Sequence, residues 1–164
     1  MANARPRIIA IVGPHEADHD EQRSAQEAAA LVARRGDVVV TGGGGGVMAA
    51  ASRGARDAGG LVVGLLPGLD ASDADPAVHL AIPTGIGELR NGLIVRAADA
   101  VIAIGGGWGT LSEVALAMRT GTPLVWIHPW NLSDHRGSRI SVPTAADAGA
   151  AVDAVYARLS RDPG

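Results

Sequence analysis

Lysine is missing altogether, for every basic residue of this 164-residue chain is an arginine. That excludes Schiff-base catalysis, pyridoxal phosphate held on a lysine, and the phosphate-gripping lysine of a P-loop. Cysteine is missing too, so disulfides, a thiolate nucleophile and cysteine-ligated metal are excluded. Aromatic residues make up 2%, with no Phe, and a core must therefore be assembled from Ala, Val, Leu and Ile. Small side chains let helices and strands approach closely, which favours layered α/β packing. No stretch concentrates the arginines: 14 of them face 17 acidic residues, for a net charge of −3, and nucleic acid is not expected as a partner. The longest apolar run, Val101 to Gly107, falls far short of the roughly 20 residues that span a bilayer. Met1 to Arg7 lacks the apolar stretch of a signal peptide. No membrane partner is expected, and a cytoplasmic location is.

With 47% hydrophobic residues, the chain can close one core, and a single domain over residues 1–164 is expected. Apolar runs at Arg7 to Val12, Val38 to Val40, Leu61 to Leu66, Ala100 to Ile104 and Leu124 to Ile127 read as strands buried on both faces. A shorter strand is predicted at Val78 to Ile82. Between them, helical spacing marks Asp20 to Arg35, Val47 to Ala58, Gly87 to Ala98 and Leu111 to Arg119, with a tail helix from Ala145 to Leu159. Gly68 to Pro76 has no period and reads as a surface loop. Strands alternating with helices predict a Rossmann-like, doubly wound parallel α/β sheet, whose ligands sit at the carboxyl ends of the strands.

Two glycine clusters fall at that edge. Thr41 to Gly46 joins the second strand to a helix, and Gly105 to Thr110 does the same later in the chain. Glycine lets backbone approach a ligand, and a helix start offers unpaired N–H groups and the positive end of its dipole. Together the clusters predict one site for a phosphorylated, nucleotide-like small molecule. Thr110 and Glu113 have the spacing of a helix capping box, which is the structural alternative to a catalytic Glu113. Near a helix start the ionised form of Glu113 would be favoured, which suits a base or an electrostatic stabiliser better than an acid. His15 and His19 have the i, i+4 spacing of a metal pair, but a polar helix entry is the preferred reading, and no metal or cofactor is expected. Trp108 and Trp130 are candidates to stack on a flat base, with packing an equal reading for Trp108, whereas Trp126 reads as core.

The second cluster, Gly105-Gly-Gly-Trp-Gly-Thr-Leu-Ser-Glu113, resembles the Pro-Gly-Gly-x-Gly-Thr-x-x-Glu signature of the LOG (Lonely Guy) family. Gly42 to Met48 resembles that family's Gly-Gly-Gly-x-x-Gly-Leu-Met stretch, and Arg90 before Ala98-Asp-Ala100 matches its arginine. The resemblance runs from about Ile8 to Ile127. It implies hydrolysis of the N-glycosidic bond of a nucleoside 5′-monophosphate to free base and ribose 5-phosphate, with Arg90 and Glu113 as the catalytic pair. It places the phosphate on Gly107, Gly109, Thr110 and the turn of Gly43, Gly44, Gly45 and Gly46. Gly13, Met48, Gly106 and Trp108 complete the expected ligand-binding set. It also implies a homodimer or larger homo-oligomer, assembled through the helices that flank the site. Some members of the wider group carry the label lysine decarboxylase, an activity not expected of a chain without lysine.

The sequence departs from the family in three places. Gly105 replaces a proline, Asn91 stands where lysine is common, and Ala49 follows a shortened first turn. These departures bring it close to the molybdenum cofactor carrier proteins, smaller relatives that hold a phosphorylated pterin without turning it over. A non-catalytic carrier or sensor of a phosphorylated ligand is therefore the alternative function.

Overall fold

The structure, a computed structural model, describes residues 5–160. Its strands are β1 (Ile8–Val12), β2 (Val38–Thr41), β3 (Val62–Leu66), β4 (Leu80–Pro83), β5 (Ala100–Ile104), β6 (Leu124–Ile127) and β7 (Thr144–Ala145). The helices are α1 (His19–Arg34), α2 (Val47–Asp57), α3 (Arg90–Ala97), α4 (Trp108–Thr120) and α5 (Ala148–Leu159). All neighbouring strands pair in parallel, in the order β4-β3-β2-β1-β5-β6-β7. The chain builds outward from β1 to β4, then returns to the other side of β1 with β5. The strand order thus reverses between β1 and β5, which is where a Rossmann-like sheet opens a crevice.

The continuous apolar strands are explained by burial on both faces. Ile9 and Ile11 of β1 pack with α1, α2 and α5, while Ala10 and Val12 face α3 and α4. In β5, Ala100, Ile102 and Ile104 join the first layer and Val101 and Ala103 the second. Trp126 is fully buried, and its indole N–H donates to the Gly105 carbonyl at 2.7 Å, which satisfies its one polar atom. The helices are alanine-rich where they meet: a side chain at Gly54 of α2 would collide with the backbone of Gln26 in α1. No helix among the described residues is long and apolar enough to cross a membrane.

Five elements differ from the sequence expectation. α5 begins at Ala148, three residues later than Ala145, because Ala145 pairs with Ile127 in β7 and the Asp147 side chain caps the helix. α4 begins at Trp108, three residues earlier than Leu111, because Gly107 takes an extended conformation (φ −179°, ψ 163°) and acts as its N-cap. Thr110 and Glu113 therefore lie inside the helix, and no side chain caps it, so the capping-box alternative fails. α3 is shorter than expected, since Gly87 has φ +59° and a 3₁₀ turn, Gly87–Leu89, precedes the helix. β4 sits two residues later, with Val78 in a turn whose N–H donates to the Asp75 carbonyl at 2.9 Å. Its Pro83 is tolerated because β4 lies at the sheet's edge. β7, at the other edge, has only two residues and no periodicity to read.

Candidate ligand-binding site

A cleft of about 330 Å³ opens at the carboxyl ends of the strands, over the β1/β5 reversal. Val12 to His15 leave β1 along one side, and Gly42 and Pro67 follow β2 and β3. Glu88 comes from the 3₁₀ turn before α3, Arg90 and Asn91 from the start of α3, Gly107 from the N-cap of α4, and Gly109, Thr110 and Glu113 from α4 itself. Of the residues expected at the site, Gly13, Met48, Arg90, Gly107, Gly109, Thr110 and Glu113 line this cleft. Gly43, Gly44, Gly45, Gly46, Gly106 and Trp108 do not. Glu88, His15, Gly42 and Pro67 line it without having been anticipated as site residues.

The first α4 backbone bond runs from the Leu111 N–H to the Gly107 carbonyl at 2.8 Å. The N–H groups of Trp108, Gly109 and Thr110 are left without a carbonyl partner in the helix, at the positive end of its dipole. By contrast, the first N–H of α2, from Val47, donates to the Pro14 carbonyl at 3.1 Å. The two helix starts are therefore unequal, and α4 offers the freer anion site. Inside it, Thr110 is only 2% exposed and its hydroxyl has no partner among the described residues. The Arg90 Nε is likewise buried and unpartnered. A buried polar group left without a hydrogen bond costs about 1–3 kcal/mol, and both of these atoms belong to residues that line the cleft.

Arg90 is held in place from two sides. Its Nη1 donates to Asn91 Oδ1 at 3.1 Å, Asn91 Nδ2 donates to Ser112 Oγ at 3.1 Å, and the Ser112 hydroxyl donates to the Gly109 carbonyl at 2.6 Å. Asn91 thus couples the arginine to the start of α4, a role for which lysine, a donor without an acceptor, could not substitute. Below, the guanidinium lies over Gly42, where any Cβ would collide with Nη1 and with the Met48 sulfur. Burial pushes the Arg90 pKa down from its ordinary value, opposed by Glu113 and then Glu88.

Glu113 is 5% exposed and forms no ion pair within 4.0 Å among the described residues. Burial raises its pKa from 4.5 to about 8, with the nearby Arg90 charge pulling the other way. This corrects the expectation of an ionised carboxylate. Because α4 starts at Trp108, Glu113 stands well into the second turn, beyond the reach of the helix dipole, and desolvation prevails. At neutral pH the cleft contains a carboxylic acid able to donate a proton, beside one arginine.

The aromatic expectations divide. Trp108 is 81% exposed and meets Trp130 edge to face, with ring centroids 5.5 Å apart and planes at 89°. The Trp130 indole occupies the space a side chain at Gly106 would need, which accounts for that glycine. Gly13 is glycine for packing: a Cβ there would stand 2.6 Å from Val47 Cγ1 and 2.7 Å from the Ile104 carbonyl. Gly105 has φ +66° and donates its N–H to the Ile127 carbonyl at 2.9 Å. Proline can do neither, so the departure from the family pattern is dictated by this backbone. His15 precedes α1 and His19 opens it, so they do not share a helical face. Among the described residues no group of three or more metal-ligating side chains is assembled.

Comparison with known proteins agrees with this architecture. The chain is 33% identical to the molybdenum cofactor binding protein of the phototrophic bacterium Rippkaea orientalis, with a TM-score of 0.83 over 94% of this chain and 98% of that one. It is 32% identical to the Moco carrier protein of Chlamydomonas reinhardtii, with a TM-score of 0.84 over 96% of this chain and all of the other, 100%. An uncharacterized protein of Archaeoglobus fulgidus is 40% identical over 121 residues, 74% of this chain and 80% of that protein. The SLOG cluster4 family matches residues 6–153, and the chain belongs to that family.

Proposed function

We propose that this protein binds a phosphorylated small molecule, of the nucleotide or pterin class, in the cleft over the β1/β5 reversal and holds it as a carrier. One observation carries the reading: two residues that line the same cleft, Thr110 and Arg90, each keep a buried polar atom without a partner, Oγ1 and Nε, at the start of α4 with its free N–H groups. A phosphate ester supplies acceptor oxygens for all of them. The cleft volume of about 330 Å³ suits a ligand of that size. Arg90 is the sole arginine lining it among the described residues, which suits a single small anion better than a nucleic acid strand. The likeness to a molybdenum cofactor binding protein and to a Moco carrier protein supports the same class of cargo.

The state of Glu113 fits this role. A neutral Glu113 does not itself offset the Arg90 charge and adds a donor, whereas an ionised one would repel a dianion. The same feature favours the second reading, a phosphoribohydrolase acting on nucleoside monophosphates. A carboxylic acid with a pKa near 8 is suited to protonating a departing base. Titrating the protein with nucleoside monophosphates and a phosphorylated pterin, then recovering the ligand after long incubation, separates the two. A carrier returns the ligand unchanged; a hydrolase returns free base at a rate that falls sharply in Glu113→Gln. If no phosphorylated compound binds, both readings fail.

Self-association through the outer surfaces of α3 and α4 belongs to the same proposal. Leu89 in the turn before α3, Leu93 in α3 and Met118 in the last turn of α4 are exposed. Apolar side chains grouped on one face are what a subunit contact would cover.

A further inference from the structure

The glycines at 44 and 45 are not required by their own backbone, since neither has a positive φ. What they meet is a side chain. His15, which follows β1 and lines the cleft, lies against the turn, and a Cβ at Gly45 would stand 2.8 Å from its Cε1 and 3.2 Å from its Nδ1. At Gly44 a Cβ would meet Met48 Cε first, at 3.1 Å, with the same Nδ1 at an ordinary contact distance of 3.5 Å, so it is Gly45 that makes room for the imidazole. The Gly45 N–H then donates to Nδ1 at 3.2 Å. A neutral imidazole that accepts at one nitrogen must carry its proton on the other, so this bond selects the Nε2–H tautomer. Nε2 has no partner among the described residues. A histidine serving only as a polar helix entry needs neither a moulded bed nor a backbone bond fixing its tautomer.

We propose that His15 is a further ligand-binding residue of the cleft, its Nε2–H donating to an oxygen of the phosphorylated group. The turn then seats two donors, since Gly42 carries the Arg90 guanidinium as Gly45 carries the imidazole. The inference rests on the reading of the cleft as a phosphate-ester site, and its test keeps the two apart.

The probe is AMP at constant pH, added to uniformly ¹⁵N-labelled full-length protein, with the imidazole nitrogens and backbone amides followed together. The expected result is the Nε2–H tautomer of His15 in the free protein, and movement of Nε2 together with the amides of Gly107 to Thr110. AMP affinity should fall roughly tenfold or more in His15→Phe, as losing a hydrogen bond to a charged acceptor implies. His15→Gln, which retains a donor at a similar reach, should recover most of it. Gly45→Ala, which leaves the histidine but occupies its bed, should weaken AMP as His15→Phe does. If the amides of α4 move while Nε2 does not, and His15→Phe binds as wild type does, the role of His15 is overturned and the cleft stands. If neither moves, the phosphate site itself fails and the inference falls with it.

Discussion

Removal of the Glu113 carboxyl from water governs its titration. The native chain retains a proton up to about pH 8 that the unfolded chain releases near 4.5. Across that window the native state binds more protons, so rising pH lowers stability, with a slope approaching 1.4 kcal/mol per pH unit. Below 4.5 both states are protonated and the cost vanishes; above about 8 it is fully present. Denaturant unfolding across this range should show the decline in the wild type and a much flatter profile in Glu113→Gln. Asp99, whose pKa is held down chiefly by its hydrogen bond from Arg5, has the opposite sign and acts below 3.8, outside the window. Gly105→Pro, which restores the LOG family's residue, should cost about 3 kcal/mol or more by losing a donor at an incompatible φ. A thermal melt should fall by roughly 6–12 °C for a chain of this size. At this scale the motif placed Arg90 and Glu113 in the cleft, but not the protonation of Glu113, which depends on burial by distant residues. The bed of His15 was equally hidden, because it depends on an approach of two loops 30 residues apart in sequence.

Among the elements, α4 determines what the cleft can hold. Its N-terminus presents free N–H groups because Gly107 is extended and no side chain caps the helix. The buried Thr110 hydroxyl has no hydrogen-bond partner among the described residues. Thr110→Val should therefore leave the melting temperature unchanged or slightly raised, while weakening a phosphorylated ligand roughly tenfold; calorimetry of both properties on one preparation checks the pair. Equal affinity in the two proteins would remove Thr110 from the site. The central strands could be read from their apolar runs, since strands buried on both faces leave no alternative periodicity. The start of α4 could not, because the glycines carry no helical pattern and Thr110-x-x-Glu113 imitates a cap. β4 and β7 were misplaced or missed for a related reason: edge strands are short and half-solvated, and their limits are set by pairing partners.

On the scale of the whole molecule, one reversal of strand order brings both glycine turns to the same rim of the sheet. That convergence was anticipated from the alternation of strands and helices. Which turn supplies the freer amides was not, since the Pro14 carbonyl takes only the first N–H of α2. If α3 and α4 form a subunit contact, light scattering should give a dimer or larger species for the wild type, and Leu93→Asp should shift it toward one chain. A monomeric wild type would remove that proposal and leave the cleft intact. The binding claim itself is tested most directly by mass spectrometry of whatever small molecule is released when the freshly purified protein is denatured. A phosphate ester should leave the wild type, approaching one per chain, and be depleted in Arg90→Ala and Thr110→Val. A phosphate ester retained equally by both variants, or a wild type that releases none and takes up none when supplied, would contradict the account.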